Sequence, residues 1–196
     1  FFRPLDDPSS AVNQPFREGM QKWSERARTL YVWSYHINFH AYFKPYPDFH
    51  TIDRNIRFLR TLGLRGYFAE TSSSGGLLHQ LRSYVLAKCL WRPETNSRDA
   101  VEEFCRLYYG KGGDGVLRFI DMVHEYVAAT GQPLHWNDAS RAGGMDYSYD
   151  FAVQADAVLA DAEKAAETTA ERRRVAEVRL SPWYMILEKA FVGAIP

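Results

Sequence analysis

The chain has 196 residues, and its 24 lysines plus arginines balance 24 aspartates plus glutamates, so the formal charge is zero. That balance excludes a general electrostatic drive toward nucleic acid or an anionic membrane surface. With 46% hydrophobic and 24% charged residues it has the composition of a globular chain of one or two domains. No apolar run approaches the ~20 residues of a membrane span.

In chain order, Phe1-Phe2-Arg3 reads as the end of a strand, followed by a Pro- and Asp-rich loop to residue 16. The start lacks the charged and apolar regions of a signal peptide, and its abruptness points to a chain cut from something longer. Residues 17–27 carry Met20, Trp23 and Ala27 at helical spacing. TLYVWSY, residues 29–35, is continuously apolar and rich in β-branched and aromatic types, which predicts a strand buried on both faces. A Pro-rich loop leads to a helix from about Thr51, with Ile52, Ile56, Leu59 and Leu62 in phase and Gly63 as its stop. LRGYFAE, residues 64–70, predicts a second buried strand. After the small-residue loop 71–76 a helix runs to about Trp91.

Beyond Trp91-Arg92-Pro93 the pattern is helical only. Ser97 is placed to cap a helix to Tyr109, Asp114 to cap the next as far as Gly131, and an Ala-rich helix covers about 151–167. A last helix begins near Ala170, and Pro182 predicts a kink or interruption in it. Arg172, Arg173 and Arg174 stand beside Glu171 and Glu177, as on a solvated helix face. Gly110-Lys111-Gly112-Gly113 lacks the preceding strand a phosphate cradle needs and reads as a helix-to-helix turn. Cys89 and Cys105 fall on apolar helical faces without zinc-ligand spacing, so buried free thiols are expected, with no metal site and no cofactor.

Strands separated by full helices imply parallel pairing in an α/β arrangement. The expected fold is therefore the C-terminal part of a (β/α)8 barrel over residues 1–93, its last strands and helices, followed by an all-helical region over 94–196. A closed barrel takes about 250 residues, so the missing strands would lie upstream, in another chain, or the strands would belong to a different small sheet.

In a parallel barrel the functional side chains gather where strands end. The first full strand delivers Trp33, Ser34, Tyr35, His36 and Asn38 to that rim, the second delivers Glu70 with Thr71 and Ser72, and the opening loop adds Asp6 and Asp7. Residues 31–49 also hold eight aromatic rings with His and Asn among them. Sugar rings offer apolar C–H faces to aromatic planes and hydroxyls to polar partners, so this density suits a carbohydrate. A carboxylate at a strand end beside such a loop fits the layout of glycoside hydrolysis. Trp33, Tyr35, His36, Asn38, Glu70 and Asp7 are the substrate-binding candidates. Each has a plainer reading: a salt bridge for Glu70, backbone satisfaction for Tyr35 and Asn38, loop packing for His36 and His40, and a turn for Asp6 and Asp7.

The runs LYVWSYHINFHAYFKPYPDFHTIDRNIRFLRTLGLRGYFAE and LHQLRSYVLAKCLWRPETNSRDAVEEFCRLYYG resemble a bacterial domain family of unknown function. That family belongs with glycoside-hydrolase-like barrel proteins related to hexosaminidases and α-glucuronidases. The resemblance extends over nearly the whole chain. It implies a barrel's C-terminal half, a glycan substrate, an extracytoplasmic setting in bacteria, and a missing N-terminal part of the same barrel. Some relatives resemble endo-acting β-N-acetylglucosaminidases, whose catalytic acid pair sits on a middle strand that this sequence does not contain. Tyr35, Asn38 and Glu70 match positions that would line the sugar pocket. The chain thus reads as part of a glycoside hydrolase that contributes sugar-binding residues. The alternative is a non-catalytic carbohydrate-binding or scaffolding module.

Overall fold

The computed structural model of the protein describes residues 5–71, 75–131 and 146–191. The expected strand end at Phe1–Arg3, Ser72, and most of the loop from 131 to 149 lie outside the described residues. Among the described residues, the chain forms α1 (Gln14–Arg26), β1 (Leu30–Tyr35), α2 (Ile52–Thr61), β2 (Leu64–Glu70), α3 (His79–Trp91), α4 (Ser97–Tyr109), α5 (Gly113–Thr130), α6 (Tyr149–Ala165) and α7 (Thr169–Phe191).

The helices follow from their apolar phasing. Ile52, Ile56 and Leu59 bury one face of α2, and Gly63, at φ +79°, ends the turn with its N–H donating to the Arg60 carbonyl. Each helix from α2 to α5 packs on its successor, and α6 and α7 pair as an antiparallel-type hairpin closed by a short link. A single buried hydrophobic cluster runs from Phe49 and Ile52 through Val85, Phe119 and Leu159 to Met185. Cys89 and Cys105 are free and buried in it, and burial pushes their thiols up to about 11 and about 12.

Three local expectations need correction. Asn96, not Ser97, caps α4: its side chain accepts from the N–H of Arg98 and Asp99, while Ser97 is the first helical residue. Asp114 sits in the first turn of α5, and the cap position is Gly112. Pro182 does not interrupt α7, which continues to Phe191. A proline there removes one helical hydrogen bond, but its ring is buried, and tertiary packing carries most of a helix's stability.

The larger correction concerns the fold class. Among the described residues the chain is mostly helical, with one two-stranded sheet, and no C-terminal part of a (β/α)8 barrel is evident. β1 and β2 do pair in parallel, as full-helix spacing requires. Neither strand is buried on both faces. Tyr31, Trp33 and Phe68 are 71%, 62% and 56% exposed, and burial alternates along β1. The continuous apolar run was compatible with a barrel strand because aromatic residues occupy the open face as well as the covered one.

Candidate functional site

The open face of the sheet is built by register. Tyr31 pairs with Gly66, Trp33 with Phe68 and Tyr35 with Glu70, and in strands alternate residues share a face. Gly66 lets the Tyr31 ring lie across the neighbouring strand, because a Cβ at that position would overlap the ring. Trp33 and Phe68 meet edge to face at 4.9 Å, and Trp33 and Tyr35 lie with nearly parallel planes at 6.2 Å. The row continues through Phe39, whose ring meets Tyr35 and then Tyr42, each at 5.8 Å. The Trp33 indole N–H donates to Glu70 Oε2 at 2.6 Å, which fixes both side chains.

The opposite face carries a polar chain. His36 Nδ1 lies 2.6 Å from Asp48 Oδ2, and His36 Nε2 lies 2.8 Å from the Tyr67 hydroxyl. The other Asp48 oxygen pairs with Arg82, which also donates to the Tyr46 carbonyl at 3.0 Å and lies 4.4 Å from the Phe49 ring centre. Burial alone would raise the Asp48 carboxyl, but Arg82 and His36 overcome it and hold the group well below the usual carboxylate range. Burial raises Tyr67 far above the ordinary phenol value, against a lowering hydrogen bond from Ser34, so its hydroxyl is neutral. A groove of about 270 Å³ opens beside this chain, under β1 and against the N-terminal segment and α2.

Of the residues singled out from sequence, Trp33, Tyr35 and Glu70 come together on the open face. His36 is 5% exposed and belongs to the buried chain behind the sheet. Asn38 is buried, its Oδ1 accepting from the His40 N–H at 2.9 Å, and so shapes the turn after β1. Asp7 forms a turn in which its Oδ1 accepts from the N–H and hydroxyl of Ser9, and Asp6 pairs with Arg54 at 2.9 Å. Sequence reasoning missed Tyr31, Gly66 and Phe68 on the platform, and Asp48, Tyr67 and Arg82 behind it. The signal for the first set was a glycine inside a strand opposite an aromatic.

A family model described as a domain of unknown function (DUF4838) matches residues 1–121, which take in both strands, the platform and the polar chain. The chain belongs to the DUF4838 family. Neither a curated protein nor a solved structure matches it. Helices α6 and α7 lie beyond the DUF4838 match. Among the described residues, no group of three or more His, Cys, Asp or Glu side chains is arranged to hold a metal, and no helix is long and apolar enough to cross a membrane.

Proposed function

We propose that this DUF4838 chain binds glycans on the open aromatic face of its sheet, as the sugar-recognition part of a glycan-acting hydrolase. The observation that carries the reading is the row of exposed Tyr31, Trp33 and Phe68, joined by the half-buried Tyr35 and ending at the Glu70 carboxylate. Large apolar rings left in water mark binding surfaces. Flat rings accept the C–H faces of sugars, while Glu70, anchored to Trp33 through Oε2, leaves Oε1 to accept from a hydroxyl. Glycosidic cleavage takes two carboxyl groups across the scissile bond, and among the described residues the platform carries Glu70, which supports recognition as this chain's part.

Glycan-array screening followed by calorimetry tests the reading. Trp33→Ala should weaken binding by about tenfold or more, in line with 1–3 kcal/mol for loss of an aromatic stacking contact, with little change in melting temperature because the ring is mostly exposed. Wild-type protein that binds no glycan, or Trp33→Ala that binds as well as wild type, would overturn it. Assaying the array hits for cleavage separates a hydrolase from a non-catalytic binding module that uses the same surface.

A further inference from the structure

The groove behind β1 is not used by the platform, although Trp33 and Tyr35 border both. We propose that it is a subsite for one neutral pyranose ring, whose hydroxyl is received by Tyr67 and Ser34. The inference rests on the glycan reading of the platform and names the kind of sugar taken beside it.

The floor chemistry is set by the buried chain. Asp48 accepts the proton of His36 Nδ1, so in the neutral imidazole Nε2 is an acceptor. The Tyr67 O–H therefore donates to Nε2, across 2.8 Å. Tyr67, its proton directed at His36, offers the groove an oxygen lone pair, and the Ser34 hydroxyl lines the same groove beside it, so the pair suits a ligand hydroxyl. Charge makes a further selection. The Asp48 carboxylate is neutralised by Arg82, and among the described residues no lysine or arginine lines the groove. A sugar carboxylate would find no partner there and would lose its hydration at a cost. The walls include Phe16 and Val32, which suit a ring's C–H face. At about 270 Å³ the groove lies just below the ~300–1,000 Å³ typical of small-molecule sites, room for one ring rather than a chain. His36, Asp48 and Arg82 are positioning residues: they fix the direction of the Tyr67 proton.

The test is titration of the full chain with methyl glycosides of glucose, galactose, mannose and N-acetylglucosamine, with methyl glucuronide as the charged control, followed by amide NMR and calorimetry. At least one neutral glycoside should bind saturably and shift the amides of Ser34 and Tyr67, and methyl glucuronide should bind at least tenfold more weakly. Tyr67→Phe keeps the ring and removes the hydroxyl, and should weaken the neutral glycoside about tenfold. Ser34→Ala serves as a second variant where Tyr67→Phe fails to fold by circular dichroism. No saturable binding of any neutral glycoside, a glucuronide bound equally well, or wild-type affinity in the folded variants would overturn the subsite. The platform is read separately through trisaccharide binding by Phe68→Ala, so failure of the subsite is distinguished from failure of the platform reading.

Discussion

Gly66 and Tyr31 show how one hydrogen atom can shape a surface. With a methyl group at Gly66 the Tyr31 ring must swing off the sheet, and because that ring is already 71% exposed the move costs little. Gly66→Ala should therefore change stability by less than about 1 kcal/mol while lowering glycan affinity several-fold, as read by melting and calorimetry in parallel. His124 is the opposite case, a side chain whose environment matters more than its reach. Its Nε2 is buried without a partner among the described residues, its ring lies 4.6 Å from His50, and burial first, then His50, pushes its pKa down to about 3. The unfolded chain titrates near 6.5, so between about 6.5 and 3 it binds a proton that the folded chain refuses, and stability falls as pH drops through that window. The slope approaches ~1.4 kcal/mol per pH unit. The depressed Asp48 carboxyl acts in a separate window, its contribution present above its unfolded value near 3.8 and lost below. Urea unfolding from pH 7.5 to 4.5 should show His124→Leu with a shallower loss than wild type; parallel curves would remove His124 as the cause.

At the scale of elements, the run Gly110-Lys111-Gly112-Gly113-Asp114-Gly115 is where four helices converge. A Cβ at Gly113 would overlap the Cys105 carbonyl of α4, and one at Gly115 would overlap the Ala162 methyl of α6. Neither neighbour is a flexible side-chain end, so Gly115→Val should destabilise by about 1–3 kcal/mol through overpacking, measurable as a lower urea midpoint. Most element positions were legible in the sequence because apolar phasing and glycine stops act locally: α2 ends at Gly63 and α5 at Gly131, as their left-handed backbones require. Capping was legible only to within a residue, since Asn96 and Ser97 are both competent caps and the structure uses Asn96. The parallel pairing of β1 with β2 was also readable, and it brings Tyr35 beside Glu70. The extent of the sheet was not. An unbroken apolar stretch does not reveal whether its second face meets protein or water, and here the face of Tyr31, Trp33 and Phe68 meets water. The buried chain behind it depends on contacts 12 to 34 residues apart, His36 with Asp48 and Asp48 with Arg82, which no local pattern encodes.

Across the whole molecule, the Asp48–Arg82 pair joins the loop after β1 to α3 and so ties the sheet to the helical stack. Removing one partner strands a buried charge, a loss of about 3–5 kcal/mol. Arg82→Met should accordingly lower the melting temperature by more than Trp33→Ala does; equal shifts would mean that the pair is not what couples the two parts. The distribution of indoles has a spectroscopic consequence. Trp23, Trp33, Trp91 and Trp183 are all exposed, while Tyr109 and Tyr147 sit fully inside the core. Emission from those four indoles should already be red-shifted in the folded protein and move little on denaturation, so loss of packing is better followed by near-ultraviolet circular dichroism of the tyrosines. A blue shift on adding an oligosaccharide, abolished by Trp33→Phe, would then report a single ring leaving water.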